Sequence, residues 1–303
     1  MCRLAPGCGK SIGVSLEKQS PCKVNLLLNI LGKRADGFHE LETVLYPIRL
    51  CDRLSFARTA EGIQLSCNAP GLPTDARNLV YRAAAMFLEA AKIRDGVRLE
   101  LQKNIPLAAG LGGGSGNAAT TLLGLNELFG EPLLPEQLQL IAAALGSDVP
   151  FFLQDQPALA TGRGEQIQPL GAFPALSGAA FLLIHPGFGI ATAWAYQRLA
   201  RFPAVLNGQP GRAQKLITLL QAADLRAAGA EFYNSLEAPA LEKYPLLALF
   251  QEFLRDNGAA ATLMSGSGST TFAVVQGLDA ASTLAEKFKA RFGAANWVVA
   301  VPA

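Results

Sequence analysis

Residues 105–130 read IPLAAGLGGGSGNAATTLLGLNELFG. Five glycines fall within the seven residues from Gly110 to Gly116, and an amphipathic run follows at once. Glycine loses more conformational freedom on folding than any other residue, so a plain connection carries one or two. A glycine-rich turn feeding a helix leaves backbone N–H groups without intrahelical acceptors, and the helix dipole favours negative charge there. The stretch therefore predicts a phosphate cradle or, alternatively, a tight turn packed closely under a helix running from about Ser115 to Phe129 and stopped by Gly130. Two familiar phosphate patterns do not fit. No lysine follows the glycines as a P-loop requires, and GCGKS at 7–11 has Leu4 where that motif's first glycine would stand. The dinucleotide fingerprint fits only as Gly114-x-Gly116-x-x-Ala119, with KNIPLAA separating the glycines from the preceding strand.

Around this loop the chain alternates strands and helices without a fixed repeat, which predicts an α+β (α/β two-layer) protein. VNLLLNILG (24–32) reads as a buried strand. LETVLYPIRLCDRLSF (41–56) reads as two strands or one bent edge strand, because of Pro47. RNLVYRAAAMFLEAAKI (77–93) and PEQLQLIAAALG (135–146) have helical spacing, and GVRLELQKNIP (96–106) alternates like a strand. PALATGRGEQIQPL (157–170) reads as a turn between strands. Composition shifts to small, loop-forming residues at GAFPALSG (171–178), where a domain boundary is expected. Beyond it EKYPLLALFQEFLRDNG reads as one helix, and ATLMSGSGSTTFAVVQ as strand, glycine turn, strand.

The 303 residues suggest two domains, and with half of them hydrophobic and 17% charged, disorder is excluded. A net charge of +2 gives no reason to expect nucleic acid or a membrane surface as partner. Five cysteines without a C-x-x-C pair read as free thiols of a reducing cytosol, and only two histidines, His39 and His185, argue against a zinc site. Residues 1–15 read as a loose extension without the apolar core of a signal peptide, and no apolar run reaches membrane-spanning length. A cytoplasmic enzyme is expected.

Four further features invite a reading. Lys23, in PCKVN, is either a surface lysine at a strand start or a functional cation. Asp148, in LGSDVPFFL, is a turn or cap residue, or a buried carboxylate that a cation must face. Lys23 is the candidate, although 125 positions separate them. A Lys–Asp pair beside bound phosphates suits phosphoryl transfer, the carboxylate taking a hydroxyl proton and the ammonium offsetting charge. RADGFHELETV (34–44) is a plain turn or an aromatic holder for a flat ligand, and SGSGST (265–270) a hairpin turn or a phosphate-facing nest.

Taken in order, PCKVNLLLNILGKRADGFHELETV, IPLAAGLGGGSGNAATT, LGSDVPFF and MSGSGSTTFAVV resemble the GHMP small-molecule kinases, over about residues 20–275. The resemblance implies a two-domain fold, with a ribosomal-protein-like ATP-binding domain at 1–172, a ferredoxin-like domain at 173–303 and a site in the cleft between them. Ala109, Gly110, Leu111, Gly112, Gly113, Gly114 and Ser115 would wrap the phosphates of ATP, assisted by Mg²⁺, with Asn78 and Lys103 near the base. The P-x-K-x-N and D-G-F-H-E-L strings resemble members acting on a cytidine diphosphate derivative. Asp148 would then be the general base toward the substrate 2-hydroxyl and Lys23 would polarise it, with Asn25 and Thr192 at substrate positions. Phe38, His39 and Tyr196 would hold the cytosine. Two residues depart from the family pattern, Phe38 for tyrosine and Gly116 for a second loop serine, the latter bearing on metal geometry. A homoserine- or mevalonate-type kinase and a non-catalytic nucleotide-binding relative are the alternatives, and a monomer or homodimer is expected.

Overall fold

The computed structural model describes residues 15–303. The extension expected over 1–15 lies outside the described residues, as do Cys2 and Cys8, except that Ser15 opens the first strand.

The first half comprises β1 (Ser15–Lys33), β2 (His39–Thr59), β3 (Ile63–Cys67), α1 (Leu79–Ala90), β4 (Gly96–Gln102), α2 (Gly113–Leu128), α3 (Pro135–Leu145), β5 (Ala158–Thr161) and β6 (Gln166–Pro169). The second continues through β7 (Ala179–His185), α4 (Thr192–Leu199), α5 (Pro203–Leu206), α6 (Arg212–Gln221), α7 (Leu225–Ala230) and β8 (Tyr233–Asn234). It ends with α8 (Glu237–Lys243), α9 (Pro245–Asp256), β9 (Ala261–Met264), β10 (Thr271–Gln276), α10 (Leu278–Phe292) and β11 (Trp297–Pro302).

One sheet runs β3-β4-β2-β1-β8, with β5 also on β2 and β6 on β5. The long β1–β2 hairpin is its spine. Residues 41–56 form neither two strands nor an edge. They belong to a single strand that pairs with β1 except at a bulge over Arg49 and Leu50, with β5 at Thr43–Leu45 and with β4 from Arg53 to Thr59. Pro47 falls in the interval between β5 and β4, where no strand lies on that side of β2, so a missing N–H breaks no ladder bond there. The second sheet runs β11-β7-β10-β9, all antiparallel. Counted within that half the order is 4-1-3-2, the β-α-β-β-α-β ferredoxin-like arrangement.

The second sheet is covered on both faces, whereas the first alternates buried and exposed residues along β3 and β4 and leaves one face to solvent there. Along β7 every residue is buried. Phe181 and Leu183 join a core with Val24, Leu26 and Leu216, whereas Leu182 and Ile184 join another with Leu247, Phe250 and Phe288. The period of two thus places β7 between two cores. A third core lies under α1, α2 and α3, with Phe56, Phe87 and Phe151 among its fully buried side chains. The first of these cores draws on both sheets, and β8 pairs with β1 at Leu27 and Leu28, so the two halves share structure.

Two helix boundaries differ from expectation. The segment expected as one helix from Glu242 onward breaks at Tyr244, because Pro245 opens α9 and pushes the preceding residue out of helical geometry. Helix α2 begins at Gly113, two residues before Ser115, because Gly112 adopts a left-handed N-cap conformation (φ 69°).

Candidate active site

The glycine loop, the middle of β1, the N-terminus of α4 and the turn between β9 and β10 enclose a cleft of about 670 Å³. That volume suits a small-molecule site. Lys23, Asn25, Asn78, Lys103, Ala109 through Ser115, Asp148, Thr192 and Tyr196 all line it, as do Gly266 and Ser267.

The glycines divide their work. Helix α2 starts without a side-chain cap, so the first-turn N–H groups of Gly113, Gly114 and Ser115 have no intrahelical acceptor. Gly110 serves a different purpose. At φ 78°, a Cβ there would sit 2.1 Å from the Ser265 carbonyl oxygen. The two glycine motifs thus pack backbone to backbone. The Ser265 hydroxyl and the Lys23 ammonium both donate to the Gly110 carbonyl, at 3.0 and 3.1 Å, and the Thr270 N–H donates to that of Ala109. SGSGST is accordingly a hairpin turn whose tip also walls the cleft. Gly116 is buried, and a Cβ there would lie 2.5 Å from the Pro21 carbonyl oxygen and near Ser20 and Phe152. A side chain at 116 therefore points at β1, and Ser115 is the hydroxyl of this loop that lines the cleft.

These roles separate in a pair of variants. Gly110→Ala is expected to lower the melting temperature measurably, because the loop and the turn must move apart. Gly114→Ala meets nothing closer than Leu79 Cδ1 at 3.7 Å. It is expected to leave melting unchanged and raise the ATP KM, read by thermal melts and initial-rate kinetics.

Asp148 and Lys23 do meet, with Oδ2 3.7 Å from Nζ, Lys23 as a buried cation and not a surface lysine, Asp148 as a turn residue and not a buried carboxylate. The ammonium is buried at 3% exposure and the carboxylate is 43% exposed at the cleft edge. Asp148 sits in the turn between α3 and the 3₁₀ helix Pro150–Leu153 that carries Phe151 and Phe152 into the core. The Lys23 ammonium is held by Asn25 Oδ1 at 2.6 Å and by Gly110, and the Lys23 N–H donates to the Leu111 carbonyl. A half-solvated carboxylate beside a fixed cation can accept a proton from a hydroxyl placed between the glycine loop and α4.

Thr192 and Tyr196 lie one turn apart on α4. The Thr192 hydroxyl pairs with Ser267 Oγ at 2.9 Å, tying α4 to the β9–β10 turn. The half-buried Tyr196 ring faces His39, with centroids 5.0 Å apart and planes at 37°. Burial, and then the charge of Asp148, raise the Tyr196 hydroxyl above its ordinary value, so it stays a neutral donor. Burial and the nearby Lys33 charge lower His39, which favours its neutral form. Phe38 is 51% exposed, outside the cleft lining, with the Arg163 guanidinium 4.7 Å from its ring centroid. The ring facing Tyr196 is thus His39, and one face of Phe38 is already covered.

On the opposite side, Asn78 and Lys103 line the cleft with their polar atoms engaged. Asn78 caps α1 by accepting the Val80 N–H and donates to the Pro73 carbonyl. Lys103 pairs with Asp52 and donates to Asn117 Oδ1 at 3.0 Å. Asp52 was not singled out from the sequence. Its own signal is an acid within an apolar strand, which needs donors to be buried.

Two family descriptions match the chain: GHMP kinases N terminal domain over residues 78–162, and GHMP kinases C terminal over 202–294. The 4-diphosphocytidyl-2-C-methyl-D-erythritol kinase of Synechococcus sp. (strain JA-3-3Ab) is 42% identical over 266 residues, covering 86% of this chain and 85% of that protein. The protein of the same name from Syntrophotalea carbinolica is 38% identical over 90% of this chain and 94% of its own. A crystal structure of 4-(cytidine 5'-diphospho)-2C-methyl-D-erythritol kinase matches with a TM-score of 0.79 at 35% identity, over 95% of this chain and all (100%) of that one. Homoserine kinase from Cytophaga hutchinsonii shares the fold at 20% identity, with a TM-score of 0.75 over 99% of this chain and 97% of its own.

Proposed function

The chain belongs to the GHMP kinases, and within them to the 4-diphosphocytidyl-2-C-methyl-D-erythritol kinases, and on that premise we propose its reaction. The protein transfers the γ-phosphoryl group of ATP to the 2-hydroxyl of 4-diphosphocytidyl-2-C-methyl-D-erythritol, giving the 2-phosphate and ADP in the non-mevalonate route to isoprenoid precursors. The observation that carries the reading is the half-exposed Asp148 carboxylate 3.7 Å from the buried Lys23 ammonium, in one cleft with an uncapped helix N-terminus.

The reaction follows from those parts. First-turn N–H groups of α2 and the backbone from Ala109 to Ser115 hold the phosphates of ATP. Asp148 takes the proton of the attacking hydroxyl as its oxygen bonds to phosphorus and the bond to the ADP oxygen breaks. Lys23 offsets the negative charge that develops, and Asn25 keeps Lys23 in place. Asn78 and Lys103 shape the wall on the nucleotide side. Thr192, Tyr196, His39 and Phe38 form the side assigned to the cytidine, where the lowered His39 offers a neutral imidazole to a base edge.

Mg²⁺ is part of the proposal. No three His, Cys, Asp or Glu side chains gather among the described residues. A Mg²⁺ carried by phosphate oxygens and water needs only one or two protein oxygens, and the Ser115 hydroxyl in the cleft would supply one. When bound it offsets the charge of the transferring phosphates. We also propose a soluble cytoplasmic enzyme, monomer or homodimer, divided at residues 172 and 173. No helix among the described residues is long and apolar enough to cross a membrane.

The test is ADP release by the purified protein with ATP and, in parallel, the cytidine substrate, homoserine and mevalonate. Turnover with the cytidine substrate alone is expected; turnover with homoserine or mevalonate instead would overturn the substrate assignment. Phe38→Ala is expected to raise the KM for the cytidine substrate about fivefold or more, as loss of a base–aromatic contact does, with the ATP KM unchanged.

A further inference from the structure

We infer that Thr43 is a positioning residue of the phosphoryl-transfer site, acting through Asn25 on Lys23. The inference rests on the kinase reading above and adds a residue to it. Thr43 sits near the start of β2, paired with Leu28 of β1 on one side and Ala160 of β5 on the other. Ladders on both sides fix its backbone. The β1–β2 register slips by one residue between Asn25 and Leu27, a bulge that locally disrupts the ladder. There the Thr43 hydroxyl donates to the Leu27 carbonyl at 2.5 Å and accepts from Asn25 Nδ2 at 2.9 Å. Lys23, Asn25 and Thr43 are all buried.

The direction of this chain follows from hydroxyl chemistry. A hydroxyl has one proton. With it spent on Leu27, Thr43 can only accept from Asn25. The Asn25 amide must therefore present its NH₂ to Thr43 and its oxygen to Lys23. That oxygen and the Gly110 carbonyl take two of the three ammonium protons of Lys23, leaving the third for the side of the cleft where Asp148 stands. Without the Thr43 hydroxyl the amide NH₂ is buried and unpaired, and Lys23 alone is left to hold the amide in place. Position 43 itself does not line the cleft. Its effect is on the geometry of transfer rather than on ligand binding.

The experiment compares steady-state kinetics and melting of wild type, Thr43→Val, Thr43→Ser, Asn25→Ala and the Asn25→Ala/Thr43→Val double variant, using ATP and the cytidine substrate. Thr43→Val keeps the branched shape and loses the hydroxyl. It is expected to lower kcat about tenfold or more with the ATP KM within about twofold, the pattern of a lost transition-state interaction. Thr43→Ser restores the hydroxyl and is expected to recover most of kcat. In the Asn25→Ala background Thr43→Val is expected to add no further loss, because Thr43 works through that amide. Should Thr43→Val not fold, Thr43→Cys, with a far weaker donor, carries the same expectation. A Thr43→Val enzyme with wild-type kcat, a Thr43→Ser enzyme as impaired as Thr43→Val, or independent losses in the double variant would each overturn the inference while leaving the kinase reading intact. A wild-type protein that releases no ADP would overturn both.

Discussion

Asp148→Asn is expected to lower kcat by about 10²–10⁴-fold, the usual worth of a positioned general base, while the ATP KM stays within about twofold. Asparagine keeps the shape of the side chain and loses the ability to take a proton. The fold has little at stake, because the carboxylate is 43% exposed and its partner Lys23 keeps both Asn25 and Gly110 as acceptors. A half-exposed ion pair at 3.7 Å contributes about 0–1 kcal/mol, so melting should barely change. The combination sought is a collapsed kcat in a protein that melts normally and still binds ATP. A variant retaining more than about a tenth of wild-type kcat would remove Asp148 from the role of base.

The second large effect is on stability. Asp52→Ala is expected to cost about 3–5 kcal/mol, the range for removing one partner of a buried ion pair. Asp52 is completely buried (0% side-chain exposure) against the Lys103 ammonium. Its oxygens also accept from the N–H groups of Asn104 and Ile105 and from Asn117 Nδ2. The substitution strands a buried cation and three further donors at once. Those donors flank the glycine loop, from the segment that enters it and from the first turns of α2 that leave it. The ATP KM should therefore rise in whatever fraction folds. Urea unfolding monitored by tryptophan fluorescence gives the stability change, and a loss below about 1 kcal/mol would mean that solvent or other groups replace the carboxylate.

What the sequence revealed and concealed divides by the range of the interaction. The glycine loop was legible because its signal is local: a glycine run and a helix start lie within a few residues of each other. Strand and helix periods gave most of the longer elements for the same reason, but not the short β3, α5, α7, β8 and α8. Pro47 misled because its fit depends on which strands flank β2, and those come from residues 96–102 and 158–161. Asp148 stayed open between a turn residue and a buried carboxylate because its neighbours are apolar; Val149, Phe151 and Phe152 turn into the core and leave the acid in a turn at the cleft edge. The division among the glycines was hidden too. Gly110 and Gly116 answer to Ser265 and Pro21, each far away in sequence. Asp52 and Thr43 look like ordinary strand residues until the lysine and the amide they hold are seen beside them.

The central claim is that this cleft moves phosphoryl from ATP to one hydroxyl of a cytidine diphosphate sugar alcohol, with Asp148 as base. It is tested most directly in a single turnover, with γ-³²P-labelled ATP, Mg²⁺, 4-diphosphocytidyl-2-C-methyl-D-erythritol and enzyme in excess, wild type against Asp148→Asn. Label is expected on the 2-hydroxyl of the substrate with wild type and almost none on that timescale with the variant. Label appearing only as inorganic phosphate, or equally fast transfer by both proteins, would contradict it.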